Sequence, residues 1–567
     1  MIRKILRDRK IKNSHTYVEP DEVFLDSENI QNFDLQQFEG RIEKPVSKKS
    51  IWFISIFFLL FGILFLSRLG YLQIHKGLAY LKRSENNTLD KSILFADRGI
   101  VYDRNKKELV WNEKKAEHGD LSTRSYMTPG FSHVLGYVSY PAQDKSGRYW
   151  QQDFIGKDGI EKQYNSQLQG TNGVKIIEND VRGTVYSENI INAPQRGEDL
   201  TLSIDSRIQA KLYESIKGLS ERVSFKGGAA IIMDVTNGEI LASVSYPEYS
   251  SEVLSQGKDR PSISGYFSDS RKVFMDRTLS GLYTPGSIVK PFVALGALQE
   301  GIIDPLTKIL STGSISIPNP YNPKDKTVFK DWKAHGWVDM RRALAVSSDV
   351  YFYEVGGGFE GQKGLGIANI EKYSTMFGIG QKTGVDMPDE IGGVIPSPEW
   401  KLKNFKGDAW RIGDTYHTAI GQYGYQVTPI QMVRATGAIA NEGTLYTPHF
   451  LLGDATMQAK TSSVSSINKE YYDIIHEGMR QAVTDGGTAA ALNVPYVKVA
   501  AKTGTAQLGV AKNKVNSWTI GFFPYDHPKY AFTIMMEAGP STNGIGAASI
   551  MRELLDYMSV NTPEYFQ

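Results

Sequence analysis

An α+β domain carried behind a single membrane-crossing helix is the fold class this sequence predicts, and three patterns predict it. Residues 51–67, IWFISIFFLLFGILFLS, are apolar apart from two serines, and with the following RLGYLQI they reach the roughly 20 residues needed to cross a bilayer. Strand-like runs open and close the C-terminal part: AAIIMDV and EILASVSY flank the turn Asn237-Gly238, while SWTIGFFP and YAFTIMMEAG flank a turn from Tyr525 to Pro528. Met551, Leu554, Leu555 and Met558 then recur at helical spacing, a stripe suited to covering a sheet. Strands at both ends with helices between them give an antiparallel sheet with helices packed on it.

Taken in chain order, residues 1–49 have a basic opening and then an acidic stretch from Glu19 to Glu39 with few aliphatic residues, the composition of a flexible tail. The apolar segment, bounded at 50–74, starts too far into the chain for a signal peptide and has no small-x-small cleavage site after it. A buried core helix is the other reading of the same run. Arg41, Lys44, Lys48 and Lys49 favour an N-terminus inside, although Lys76, Lys82 and Arg83 beyond the span oppose that bias. Residues 75–195 alternate short apolar runs with turn signals such as Asp-Arg-Gly and Gly-Lys-Asp-Gly, which suggests a small β-containing pedestal. The α+β domain occupies 196–567.

Composition narrows the chemistry. A net charge of +2 on 567 residues gives no electrostatic reason to expect nucleic acid, and a hydrophobic content of 41% supports folded domains over most of the length. The absence of cysteine removes disulfides, zinc–thiolate sites and a thiol nucleophile.

The most informative stretch is TPGSIVKP, residues 284–291. Thr284 is expected to cap a helix with Pro285 at its first position, which sets Ser287 and Lys290 three residues apart on one face of the first turn. A serine hydroxyl needs a neighbouring base, and a lysine serves if desolvation or another cation lowers its proton affinity. The same helix start leaves the Ser287 N–H free for a developing oxyanion. Downstream, KTGT at 502–505 follows the strand-like VKVAA, with Gly504 permitting close backbone approach and Thr503 and Thr505 on one strand face. Between them, Ser347-Ser348-Asp349 sits at the bend of an expected helix–loop–helix. Each motif alone has a bland reading as helix face, strand or bend; the ordered set Ser-x-x-Lys, Ser-x-Asp, Lys-Thr-Gly is specific.

That set resembles the penicillin-binding proteins and serine β-lactamases, and the fold it implies is the penicillin-binding/serine-β-lactamase-like transpeptidase domain. RGIVYDRN at 98–105 and GKDGIEKQYNSQLQG at 156–170 resemble the N-terminal signatures of class B penicillin-binding proteins, which β-lactamases lack. HVLGYVSYP at 133–141, Asp349 where the division type has Asn, and GDTYHTAIGQYGYQVTPIQM at 413–432 are most similar to the elongation type, penicillin-binding protein 2. The resemblance implies a peptidoglycan D,D-transpeptidase that cross-links stem peptides and binds β-lactams. It implies Ser287 as nucleophile, Lys290 as base, Ser347 as proton relay and Lys502 as a source of positive potential. The N–H groups of Ser287 and Thr505 would hold the oxyanion, and Thr503 and Thr505 the donor carboxylate. No cofactor and no metal are implied: some relatives hold zinc near the positions of Asp331 and His335, but through a cysteine this chain lacks. His335 and His417 are expected to be structural. Implied partners are the membrane, a polytopic glycan polymerase (RodA-like) and an MreC-like scaffold.

The chain departs from the family where only 27 residues separate RGIVYDRN from HVLGYV, a much shorter head than relatives carry. The competing functions are a division-type transpeptidase, a hydrolytic β-lactamase or carboxypeptidase, a β-lactam-binding sensor and an inactive scaffold. A carboxylate beside Lys290 would favour its protonated form and oppose its work as a base. Asp349 is therefore expected to turn toward backbone or side-chain donors, or toward Lys502, and away from Lys290.

Overall fold

The computed structural model describes residues 47–85, 88–114, 121–179, 185–319, 322, 324–464 and 466–567. The tail expected over 1–49 lies outside them up to residue 46. The chain divides into two compact units, Met1–Leu89 with Glu178–Tyr186, and Asp90–Ile177 with Ser187–Gln567.

In the first unit, helix α1 (Lys48–Gly70) starts where the Ser47 hydroxyl accepts the Ser50 N–H at 3.1 Å, and it runs on through a wider turn at Tyr71–His75. The 28 residues Lys48–His75 are long and apolar enough to cross a membrane, and none is buried against protein, unlike a core helix of the same composition.

The second unit opens with a four-stranded sheet in the order β4-β1-β2-β3, from β1 (Val101–Tyr102), β2 (Glu108–Glu113), β3 (Thr123–Tyr126) and β4 (Leu200–Thr201). Beside it Glu161 accepts from Arg98 Nε at 2.5 Å and from Arg124 Nε at 2.7 Å, with all three side chains sealed from solvent. Asn112 joins the cluster, accepting from Arg124 Nη1 at 2.9 Å and donating to the Arg98 carbonyl at 2.6 Å. Other residues of the same two motifs tie this region to the C-terminal part: Asp103 accepts the Ser206 N–H at 3.2 Å, and Tyr164 donates to Asp386 at 2.5 Å.

The C-terminal part is built on one antiparallel sheet. After α2 (Ser206–Val223) come β5 (Gly227–Asp234) and β6 (Ile240–Tyr246), which pair with each other across the Asn237-Gly238 turn. The helical region follows: α3 (Lys290–Gln299), α4 (Met340–Val346), α5 (Asp349–Gly357), α6 (Ile412–Ala419) and α7 (Pro429–Ala440). The chain then returns to the sheet with β7 (Ala500–Leu508), β8 (Lys514–Phe523) and β9 (Tyr530–Pro540), closing the order β6-β5-β9-β8-β7 before α8 (Ala547–Asn561).

Successive residues of β5 serve opposite faces. Ala230 and Ile232 pack in one cluster with the outer helices, through Leu212 and Ile216 of α2 and Leu554 and Met558 of α8. Ala229, Ile231 and Met233 pack on the other face with Ile430 and Val433 of α7. The expected stripe Met551, Leu554, Leu555 and Met558 is fully buried. Helix α3 is apolar almost all round and buried from Lys290 to Leu298, so the amine of Lys290 starts from the centre of the core.

Removing Glu161 leaves two guanidinium groups buried without their anion. Glu161→Ala is therefore expected to destabilise the pedestal by about 3–5 kcal/mol, read as an early, separate melting step by scanning calorimetry. Burial opposes ionisation of Glu161, but Arg124 and then Arg98 outweigh it and hold the carboxyl below its usual range. Its contribution is thus present above the unfolded pKa and lost as pH falls through the folded one.

Candidate active site

Ser287 and Lys290 enter the site by a route other than the expected capped helix. Gly286–Val289 form a tight 3₁₀ turn that runs into α3 at Lys290, and the preceding Pro285 supplies no side-chain cap. Thr284 instead offers its carbonyl to Trp518 Nε1 at 2.9 Å. Gly286 causes the difference: it takes φ +60° and gives its N–H to the Gly421 carbonyl at 2.9 Å, so the chain turns before the helix begins. Ser287 is left on the surface of the turn and Lys290 is carried inward.

Strand β7 meets this turn backbone to backbone. A Cβ on Gly504 would lie 2.8 Å from the Pro285 carbonyl oxygen and 2.9 Å from Ile288 Cγ2. Only glycine allows the approach. Along the strand Lys502 is buried, Thr503 is half-buried and Thr505 is exposed, so both threonines face the space in front of Ser287 while the lysine points behind it.

Ser347 occupies the bend between α4 and α5 with φ 59° and ψ 41°, a left-handed conformation unusual for a residue with a side chain. Ser348 caps α5 by accepting the Tyr351 N–H at 3.3 Å. The bend is held from outside by Asp331, whose Oδ2 accepts from the Ser348 hydroxyl at 2.8 Å and the Val350 N–H at 3.0 Å. Burial would raise the Asp331 carboxyl, but the Val350 and Asp349 N–H groups, the Ser348 hydroxyl and the charge of Lys290 bring it below its ordinary range. In the sequence Asp331 stands out only as a zinc-type position; its work at the bend becomes visible once the loop is placed.

Two lysines meet at the hydroxyl of Ser347. Lys502 Nζ donates to Ser347 Oγ at 2.8 Å and to the Thr503 carbonyl at 2.7 Å; Lys290 Nζ lies 3.4 Å from the same Oγ and donates to the Ser347 carbonyl at 2.8 Å. Both amines are completely buried. Desolvation, then the charge of Lys290, pushes Lys502 well below the usual lysine range, and Asp349 only partly restores it.

Asp349 differs from the expectation. It is not turned away from Lys290: its Oδ1 takes a hydrogen bond from Lys290 Nζ at 2.6 Å. A buried ammonium without an anion costs more than the coupling that a turned-away carboxylate would avoid, and α5 begins at Asp349, where its helix N-terminus also favours a carboxylate.

In front of these groups opens a cleft of about 1060 Å³ lined by Ser287, Ser347, Asp349, Thr503, Gly504 and Thr505. Lys290 and Lys502 lie beneath its floor. The structure therefore gathers all eight residues singled out in the sequence at one place. It also places His417 on the cleft wall, so that residue is not simply a packing histidine; burial and then the charge of Lys512 lower its proton affinity. In the sequence His417 stands between Tyr416 and Thr418, and nothing in that local pattern marks a place on the cleft. Half-buried His335 sits 3.6 Å from Asp331 Oδ1 and remains part of the scaffold behind the bend. Among the described residues no group of three or more His, Asp or Glu side chains is arranged to hold a metal ion.

The profile of the penicillin binding protein transpeptidase domain matches residues 228–556, which include every one of these groups. The chain belongs to the penicillin-binding protein transpeptidase family. The profile of the penicillin-binding protein dimerisation domain matches residues 116–202. The peptidoglycan D,D-transpeptidase MrdA of Acinetobacter baumannii is 33% identical over 469 residues, covering 78% of this chain and 65% of that protein. Among solved structures, penicillin-binding protein 2 of Pseudomonas aeruginosa in complex with WCK 5153 is similar with a TM-score of 0.69 and 29% identity, over 83% of this chain and 97% of that one. The complex between penicillin-binding protein 2 and MreC from Helicobacter pylori is similar with a TM-score of 0.67 and 28% identity, over 83% of this chain and 99% of the matched chain. The likeness of this penicillin-binding protein is thus to the elongation type, as its motifs indicate.

Because Asp349 is the group that partly restores the proton affinity of Lys502, Asp349→Asn lowers that affinity further. The acid limb of the acylation rate is expected to move to lower pH in this variant, measured as the pH profile of penicillin acylation in parent and mutant.

Proposed function

We propose that this protein is an elongation-type peptidoglycan D,D-transpeptidase that works through an acyl-Ser287 intermediate. The observation that carries the reading is the meeting of Lys290 and Lys502 at the hydroxyl of Ser347, which lines the same cleft as Ser287. Moving a proton from Lys290 through Ser347 Oγ to Lys502 frees the Lys290 lone pair. Lys290 then takes the Ser287 proton as Oγ attacks the penultimate D-Ala carbonyl, and Asp349 stabilises the ammonium that re-forms. The Ser287 and Thr505 N–H groups receive the oxyanion, and Thr503, Thr505 and the local positive potential hold the terminal carboxylate. Ser347 passes a proton to the departing D-Ala amine, and an amine of a second stem peptide completes the cross-link. A β-lactam enters by the same first step and remains as an ester.

We assign residues 1–49 to a cytoplasmic tail, 50–74 to a single span, 75–195 to the pedestal and 196–567 to an extracytoplasmic catalytic domain, because the substrate exists only outside the membrane. A RodA-like glycan polymerase is the partner this chemistry needs, since cross-linking requires nascent strands nearby. The likeness to a penicillin-binding protein 2 described in complex with MreC supports an MreC-like scaffold as a second partner. The pedestal and the apolar helix favour transpeptidation over a β-lactamase or carboxypeptidase reaction.

Two outcomes are expected. Penicillin adds one slowly hydrolysed adduct on the peptide containing Ser287, by intact mass and peptide mapping, and Ser287→Ala abolishes it with the melting temperature little changed. Protease added outside spheroplasts digests the catalytic domain, whereas digestion only from the cytoplasmic side overturns the topology.

A further inference from the structure

Helix α6 brings His417 to the catalytic cleft, and no step above uses it. The turn after that helix gives the Gly421 carbonyl to the Gly286 N–H at 2.9 Å. His417 therefore stands four residues before backbone bonded to the neighbour of Ser287. Its ring rests against Phe329, with centroids 5.3 Å apart. Neither ring nitrogen makes a hydrogen bond to another described residue. The charged groups around it are Lys512, from the hairpin between β7 and β8, Asp414 on its own helix and Asp349 on α5. Desolvation and Lys512 outweigh the two carboxylates, so the imidazole is neutral with a lone pair available at neutral pH.

The transpeptidase reading creates a need for such a group. A primary alkyl amine with a pKa near ~10.4 reaches the acyl-enzyme as an ammonium, which has no lone pair to attack with. The other basic groups at the cleft are committed: Lys290 and Lys502 lie beneath the floor on Ser347, Asp349 is paired with Lys290, and Asp331 holds the bend. Lys512 is itself a cation.

Resting on that reading, we propose that His417 is the base that takes the proton from the acceptor ammonium in the second half of the transfer. One proton passes from the ammonium nitrogen to the imidazole and on to solvent. The freed amine attacks the ester carbonyl, the new C–N bond forms and the C–Oγ bond to Ser287 breaks. The remaining excess proton on nitrogen returns to Ser287 Oγ through Lys290 and Ser347, so the enzyme is regenerated. The acceptor is thereby a primary alkyl amine, and its delivery as an ammonium is what makes His417 necessary.

The test compares two acceptors on the full-length, detergent-solubilised protein acylated by a D-Ala-D-Ala-terminated peptide, with aminolysis and hydrolysis products quantified by mass spectrometry. With isotopically labelled D-alanine, an ammonium at pH 7 whose incorporation is told from the unlabelled donor peptide by mass, His417→Gln is expected to lower the aminolysis-to-hydrolysis ratio by about a hundredfold, with the deficit shrinking as pH rises toward the amine pKa. With hydroxylamine, already neutral at pH 7, the same variant is expected to stay within about threefold of the parent. Equal losses with both acceptors, or no loss with D-alanine, overturn the proposal. Lys512→Met provides a second measurement that leaves the helix intact: it removes the charge that opposes protonation of His417, so the acid limb of D-alanine aminolysis moves to higher pH, and an unmoved limb counts against the assignment. Penicillin acylation of the parent is measured alongside; its absence overturns the transpeptidase reading itself, whereas normal acylation with an unchanged acceptor pattern overturns only the role of His417.

Discussion

Two lysine side chains sealed from solvent reach the same serine hydroxyl, and the rest of the site is arranged around that constraint. Two like charges that share a partner atom at 2.8 and 3.4 Å lie no more than about 6 Å apart and would repel by at least on the order of 3 kcal/mol at an effective dielectric of about 20, before the cost of removing either from water. Asp349 answers for Lys290, and Lys502 is driven toward its neutral form. Ser347 Oγ is the one atom that both amines reach. Ser347 can meet both amines only while its bend keeps a strained backbone, which is why Asp331 and the cap at Ser348 matter although neither touches the lysines.

The frame that holds this arrangement was legible in the sequence wherever a short period or a turn signal governs the backbone. The strand pair around Asn237-Gly238 and the stripe from Met551 to Met558 are local patterns, and local patterns survive folding. The eight candidate residues could be picked out because three ordered motifs carried a family resemblance, and the structure brings them to one cleft; no single motif would have sufficed.

What escaped the sequence depends on contacts between distant segments. Thr284 and Pro285 read as a helix start, but the meeting of Gly286 with Gly421 sets the turn instead. Asp349 meets Lys290 against expectation because the burial that forces the two together has no trace in the local sequence of either. His417 follows Asp414, Thr415 and Tyr416 in α6, and its place on the cleft wall follows from where that helix docks rather than from its neighbours in the chain.

The pairing of β5 with β9 joins Gly227 to Glu537 across almost the whole C-terminal part. Its consequence concerns the order of events during synthesis. The segments bearing Ser287 and Ser347 emerge long before the strands that complete their surroundings, and β5 waits for the central strand β9, supplied near the end of translation. Contacts so far apart in sequence close slowly and leave apolar surface uncovered meanwhile. The nascent chain is thus an unfinished sheet with Ser287 already made, and any shortening that removes the last strand disassembles the cleft from a distance.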